Sequence, residues 1–172
     1  MLAAVVLAAG ASTRFGSPKQ VVLLPRVLER VRAAPVDEVV VVLGAHEVET
    51  DARFVLCPNW ERGPGASLRC GLAGLGPDVE AAVVVLGDGP SLAPAAVERV
   101  AAAWRESGAP VVAASYGGSR GHPLLLARPA WADIPDEGLR GRDVLLVPCD
   151  DLGHPVDVDR PEDLASADVS EA

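Results

Sequence analysis

Val5-Val6-Leu7-Ala8-Ala9-Gly10-Ala11-Ser12-Thr13-Arg14-Phe15-Gly16-Ser17-Pro18-Lys19-Gln20 passes from a short apolar run into a loop of small residues. Val5 to Leu7 has strand character, and Gly10 and Gly16 mark the two bends of the loop. Arg14 and Lys19 add two cations at short spacing. Small residues let a backbone approach a ligand closely, and consecutive N–H groups in a bent loop form an anion-binding concavity. With two positive charges added, the loop suits a triphosphate. The same composition also allows a plain strand-to-helix connection with two solvated cations. Two common phosphate loops are excluded. Walker A needs adjacent Gly and Lys, whereas Ser17 and Pro18 separate Gly16 from Lys19; the dinucleotide fingerprint Gly-x-Gly-x-x-Gly is also absent here.

Outward from this loop, further apolar runs define the fold. Glu38-Val39-Val40-Val41-Val42-Leu43 is β-branched and ends at Gly44, and Ala81-Ala82-Val83-Val84-Val85-Leu86 is apolar throughout. Arg53 to Leu56 and Pro110 to Ala114 are two more strand candidates. Runs without polar alternation imply burial on both faces, as in parallel sheets covered by helices. Val27 to Arg32 and Ala95 to Arg105 carry apolar residues at helical spacing. The alternation predicts an α/β fold: a doubly wound, mostly parallel sheet with helices on both faces. The Ala8 to Lys19 loop falls at its C-terminal edge.

The chain has 172 residues, which fits one domain spanning 1–172. Apolar residues make up 49% and aromatics 3%, so the core is built from Val, Leu and Ala. No run is long enough to span a membrane, and Met1 to Leu7 lacks a basic region before it, so it reads as a first strand rather than a signal peptide. Cys57, Cys70 and Cys149 are an odd set without Cys-x-x-Cys spacing, which predicts reduced thiols and a cytoplasmic protein. The net charge of −9 argues against general binding of nucleic acid while leaving room for a local cationic pocket. Residues after Asp163 read as a frayed tail.

Four more segments carry candidate chemistry. In Asn59-Trp60-Glu61-Arg62-Gly63-Pro64-Gly65-Ala66-Ser67-Leu68-Arg69-Cys70-Gly71-Leu72, Ser67 reads either as the cap of a helix ending near Gly74 or as a ligand group at a helix N-terminus. In Val85-Leu86-Gly87-Asp88-Gly89-Pro90, Asp88 ends a buried strand, where open α/β sheets bind ligands. A carboxylate there can hold Mg²⁺ against substrate phosphates; a turn aspartate is the alternative. In Gly118-Ser119-Arg120-Gly121-His122-Pro123, His122 reads as an acceptor-phosphate ligand or as a structural histidine packed on Pro123. In Val156-Asp157-Val158-Asp159-Arg160-Pro161-Glu162-Asp163, Asp157 and Asp159 share a side if the segment is a strand, which suits a cation. Asp159 with Glu162 also reads as a helix cap. Cys57 and Cys149 read as buried hydrophobes, and His46 and His154 have no evident partner.

Leu7-Ala8-Ala9-Gly10-x-Ser12-x-Arg14-Phe15-Gly16-x-x-Lys19 resembles the signature loop of the MobA-like nucleotidyltransferases, most closely the molybdenum-cofactor cytidylyltransferase branch. The segments around Ser67, Gly87-Asp88-x-Pro90, Arg120-Gly121-His122-Pro123 and Asp157-x-Asp159-x-Pro161-Glu162-Asp163 resemble that family's later motifs, in the family's order, and the likeness runs from Met1 to about Leu164. Pro64 and Gly89 depart from it, and the stretches after Gln20 and between Gly44 and Asn59 are short. The resemblance implies a fold of the nucleotide-diphospho-sugar transferase type. It implies that Leu7, Ala8, Ala9, Gly10, Ser12, Arg14, Lys19, Ser67 and Asp88 bind the nucleotide, with Arg14, Lys19 and Asp88 catalytic. It implies Mg²⁺ on Asp88 and Asp159 and the acceptor at His122. The implied reaction is transfer of a nucleotidyl group, CMP from CTP first, to a phosphorylated small-molecule acceptor such as the molybdopterin cofactor, with release of pyrophosphate. A guanylyl or sugar-phosphate nucleotidyltransferase is the enzyme alternative, although guanylyl members tend to carry Leu-Ala-Gly-Gly at Leu7 to Gly10. A nucleotide-binding module without turnover is the other. The methyl of Ala9 is expected to narrow the room for a purine.

Overall fold

The computed structural model describes residues 1–165. The tail expected to fray after Asp163 therefore lies, from residue 166 on, outside the described residues. In chain order the elements are β1 (Leu2–Ala8), α1 (Gln20–Arg32), β2 (Glu38–Leu43), β3 (Arg53–Leu56), α2 (Pro64–Ala73), β4 (Ala81–Leu86), α3 (Pro94–Ser107), β5 (Val111–Tyr116), β6 (Ser119–Ala127) and β7 (Leu145–Pro148). The strands form one sheet in the order β3-β2-β1-β4-β6-β5-β7. All neighbours are parallel except β6, which runs antiparallel to β4 and β5. The expected α/β class and mostly parallel sheet are what the structure shows.

β1 explains why the apolar runs lack alternation. It lies between β2 and β4, and both of its faces are covered. Leu2, Ala4, Val6 and Ala8 pack toward α1 and α3, through Leu24, Val27, Leu28 and Val31 and through Ala96, Val97, Val100 and Ala101. Ala3, Val5 and Ala9 pack on the other side, toward Leu68 and Leu72 of α2. Burying both faces of a central strand removes apolar surface at roughly 25 cal/mol per Å², so a polar residue at any of these positions is costly. After β1 the chain moves to β2 and β3 on one side, then returns to β4 on the other. The C-terminal ends of β1 and β4 thus flank the switch point, where α/β sheets open a crevice. Gly87 lets the two ends close together, since a Cβ there would meet Ala8 Cβ and the Leu7 carbonyl oxygen, each at 2.9 Å.

The structure extends or corrects several sequence expectations. α1 begins at Gln20, so Val21 to Pro25 are helical and Pro25 sits inside the helix. Arg120 to Pro123 lie within β6 rather than in a loop. The turn into that strand is Gly117-Gly118, with φ values of 58° and 75°, a glycine pair suited to a tight hairpin. Cys57 and Cys70 form a disulfide, which corrects the expectation of three reduced thiols. Cys57 follows β3 and Cys70 lies in α2, and packing brings their Cα atoms to 5.7 Å, within bridging range. Cys149 is free and buried. Among the described residues no helix is long and apolar enough to cross a membrane.

Candidate functional site

The loop after β1 is held by side chains from both ends. Ser12 adopts a left-handed φ of 55°, and its carbonyl accepts from Phe15 N at 3.0 Å, closing a turn. Ser12 Oγ donates to Gln20 Oε1 at 2.8 Å and accepts from Lys19 N at 3.3 Å. Gln20, only 3% exposed, donates from Nε2 to the Gly10 carbonyl at 2.7 Å. His46 Nε2 lies 2.9 Å from the Ala11 carbonyl oxygen. A buried amide satisfied at both ends costs little to desolvate and ties Gly10, Ser12 and the start of α1 into one unit.

Four charges meet beside this loop. Lys19 Nζ donates to Asp88 Oδ2 at 2.7 Å, to the Val158 carbonyl at 2.9 Å and to Asp159 Oδ1 at 3.4 Å. Arg14 Nη1 lies 3.0 Å from Asp159 Oδ2. Lys19 is 13% exposed at its side chain, Arg14 65%. Asp88 follows the end of β4 directly. Asp159 arrives from far along the chain because Val158 is fully buried against Leu23, with Phe15 and Leu164 packed around them. The Val158 N–H also donates to the Asp88 carbonyl at 2.9 Å. Asp157 stands beside this group, its carboxyl raised above the usual range by crowding that removes it from water and then by the Asp88 and Asp159 charges.

These residues line a crevice of about 270 Å³ with Leu7, Ala8, Gly10 and Gln20. Asp88 and Asp159 are hard oxygen donors from separate segments that already share one cation, the Lys19 ammonium. Such a pair fits Mg²⁺, which takes one or two carboxylates and completes its shell with phosphate oxygens and water. Among the described residues no group of three or more His, Cys, Asp or Glu is placed to hold a metal, so the rest of any shell comes from ligand and solvent.

A second cavity, of about 420 Å³, adjoins the first through Leu7. Its walls are apolar, including Leu68, Leu86, Leu124 and Leu139, and its polar side carries Arg120, His122, Glu137 and Arg140. Arg120 Nη1 donates to the Leu139 carbonyl at 3.0 Å and has no carboxylate partner among the described residues. Burial holds its pKa below the usual value. His122 is pushed down to about 4 by burial and then by Arg120, with Asp88 acting the other way. It is therefore a neutral imidazole at ordinary pH. Residues 134–138 are clasped over this cavity's rim. Arg69 bonds the Ile134 carbonyl and the Asp136 carboxylate, Arg62 pairs with Asp136, and Gly65 N donates to the Asp136 carbonyl at 2.9 Å. A Cβ at Gly65 would overlap the Pro135 carbonyl oxygen, so this close approach requires glycine.

The structure brings Leu7, Ala8, Gly10, Ser12, Arg14, Lys19, Asp88 and Asp159 to one crevice and His122 to the adjoining cavity. Two sequence-predicted residues lie elsewhere. Ala9 is 5% exposed, its methyl packs beside Gly44, and it is not among the residues lining the crevice. Ser67 is buried in the first turns of α2, whose N-cap is Gly63, so it is neither a cap nor part of either lining. Asp159 is not a side-chain cap: Asp163 Oδ2 accepts from Asp159 N and Arg160 N instead, at 3.0 and 2.8 Å. Asp157 to Asp159 form no strand. His46 and His154, for which the sequence suggests no partner, contact Ala11 and the Tyr116 ring. Gln20, Val158 and Arg120 are contributions that sequence reasoning did not single out. Only Arg120 carried a signal, as a lone cation in a glycine-flanked segment.

The family model described as "MobA-like NTP transferase domain" matches residues 4–147. The structure of Rv0371c from Mycobacterium tuberculosis H37Rv superposes with a TM-score of 0.80 at 30% identity, covering 96% of this chain and 96% of that one. A structure of Rv0371c in complex with manganese gives 0.76 at 27% identity, covering 96% and 97%. A nucleotidyl transferase from Methanothermobacter thermautotrophicus gives 0.77 at 25% identity, covering 99% and 98%. No curated protein matches significantly. The chain belongs to the MobA-like NTP transferase domain family and is a nucleotidyltransferase.

Proposed function

We propose that this nucleotidyltransferase moves a nucleoside monophosphate, CMP from CTP first, onto the phosphate of a small-molecule acceptor such as the molybdopterin cofactor. The observation that carries the reading is the meeting of Arg14, Lys19, Asp88 and Asp159 beside the Gly10 loop, at the C-terminal ends of β1 and β4. Arg14, Lys19 and the loop N–H groups hold the triphosphate and neutralise charge on its phosphates. The acceptor lies in the adjoining cavity, its anionic group toward Arg120 and its apolar part on the leucines. An acceptor phosphate oxygen attacks the α-phosphorus in line. The new P–O bond forms as the α–β bridge breaks, and pyrophosphate leaves with the electron pair. A phosphomonoester is already a nucleophile at neutral pH, so positioning and charge neutralisation carry the rate. Mg²⁺, held by Asp88 and Asp159, would supply charge neutralisation across the phosphates.

The manganese complex of Rv0371c supports a divalent ion here, and the likeness of the whole opening loop, Leu7 to Lys19, to the cytidylyltransferase branch, rather than a contact of the Ala9 methyl, is what supports CTP. The proposed reaction draws on the triphosphate pool of the cytoplasm. Pyrophosphate release with CTP, GTP, ATP and UTP against a panel of phosphorylated acceptors tests the reading. Release with CTP and one acceptor class is expected. Release only with GTP would reassign the donor, and triphosphate binding without release under any pairing would leave a binding module.

A further inference from the structure

Lys19 is engaged more completely than a phosphate ligand waiting for substrate needs to be. An ammonium carries three donors, and here all three have acceptors: Asp88 Oδ2 at 2.7 Å, the Val158 carbonyl at 2.9 Å and Asp159 Oδ1 at 3.4 Å. Its side chain is largely buried, while Arg14, on the outer oxygen of Asp159, stays open to solvent. The two carboxylates that Lys19 and Arg14 contact are matched by two cations, with Asp157 beside them held toward its neutral form, so the crevice as it stands is largely neutralised from within. We propose that Lys19 is a resident counter-ion that occupies the cation position between Asp88 and Asp159 and keeps a divalent ion out until a triphosphate draws the ammonium away.

The proposal rests on reading the crevice as a triphosphate and divalent-cation site. Without a triphosphate, an entering ion would face Lys19 at contact distance. Alternatively it would drive the ammonium off both carboxylates, leaving nearby only Asp157, whose carboxyl burial and the two neighbouring charges hold toward its neutral form. Like charges a few ångströms apart under limited solvent make either course unfavourable. A triphosphate changes this, because its oxygens accept the Lys19 donors and ligate the ion at once. The movement lies in the lysine stem alone. The Lys19 backbone stays fixed, since its N–H bonds Ser12 Oγ and the residue stands at the start of α1. Ion and triphosphate therefore bind with positive coupling, and by linkage each raises the affinity of the other. Lys19 thus sets the order of assembly in addition to gripping phosphate.

Electron paramagnetic resonance of free Mn²⁺ reads this directly, with no turnover needed. Wild type and Lys19→Met are titrated with Mn²⁺ in the absence of nucleotide, and again with a CTP analogue that cannot transfer. Lys19→Met keeps the length of the stem and removes the charge. It is expected to bind Mn²⁺ alone about tenfold more tightly than wild type, within the usual range of coupling between sites. Adding Asp88→Asn to that background should erase the gain. Lys19→Gln, which keeps a donor for the Val158 carbonyl, carries the same expectation if the methionine variant does not fold. Equal or weaker Mn²⁺ binding by the neutral variants overturns the counter-ion role. A wild type that forms no ternary complex with analogue and Mn²⁺ overturns the crevice reading instead, so the two failures are distinct.

Discussion

The two adjoining cavities share Leu7 and handle charge in opposite ways. In the crevice at the ends of β1 and β4, each cation has a carboxylate: Lys19 with Asp88 and Asp159, Arg14 with Asp159. In the neighbouring cavity Arg120 has no carboxylate partner among the described residues, and the nearby His122 is held neutral. A ligand in the first must re-pair charges already satisfied, so a triphosphate with a cation suits it better than either alone. A ligand in the second can add an anion beside a guanidinium that is hydrogen-bonded to a carbonyl but in no ion pair among the described residues. The difference also separates structural from functional cost. Removing a charge from the first cavity unbalances a network, whereas removing Arg120 breaks no ion pair among the described residues.

The sharpest break of this contrast is Asp88→Asn. It keeps the shape of the side chain, removes the charge nearest Lys19 and is expected to lower single-turnover transfer by about 10²-fold or more, comparable to losing a preorganised electrostatic contact. Thermal unfolding should shift by only a few degrees, because Lys19 keeps Asp159 and the Val158 carbonyl. Arg120→Ala should act on the other cavity alone. Loss of a charge-assisted bond raises the acceptor KM about tenfold, with the triphosphate KM near wild type. Equal effects on both KM values would show that the cavities do not divide the substrates.

His122 sharpens the contrast through pH. Burial first, then Arg120, lower its folded pKa from 6.5 to about 4. Between those values the unfolded chain binds the proton and the folded chain does not, so stability falls as pH drops from 6.5 toward 4. His122→Leu should flatten that limb of the plot of unfolding temperature against pH. In the native protein the acceptor KM should show no histidine titration between about pH 6 and 8. A histidine-like step in that range would mean that a protonated His122 holds the acceptor. The smallest effect expected is for Ala9→Gly. A methyl touching the base would be worth about tenfold in CTP over GTP. Since Ala9 is packed beside Gly44, the ratio should stay near wild type.

Much of this arrangement is legible in the chain itself, for physical reasons that also mark where legibility stops. β2 and β4 match the sequence-predicted runs to the residue, because uninterrupted apolar residues ended by Gly can be buried on both faces and little else; the edge strand β3 also matches, although it is largely exposed and its short run carries less pattern. β6 is hard to read because Arg120-Gly121-His122-Pro123 carries turn residues inside the strand, although Gly117-Gly118 just before it signals a hairpin. β7 has four residues and ends in proline, too little pattern for any period. Arg14, Lys19, Asp88 and Asp159 could be named from residue type and order. That Lys19 would sit between both carboxylates could not, since it depends on a Val158 anchor 139 positions away. The Cys57–Cys70 pairing is equally hidden, because only the packing of α2 beside β3 brings the two together.

Asp159 joins the crevice from outside the sheet, so it tests most directly whether the charges there form one working site. Because Asp163 supplies the cap, Asp159→Asn leaves the local fold with its hydrogen bonds. The measurement is single-turnover nucleotidyl transfer by this variant across a range of Mg²⁺ concentrations. The expected result is a slower rate at every concentration and a higher Mg²⁺ requirement, with the unfolding temperature close to wild type. A rate and Mg²⁺ dependence matching wild type would contradict the shared site and leave Asp88 as its only carboxylate.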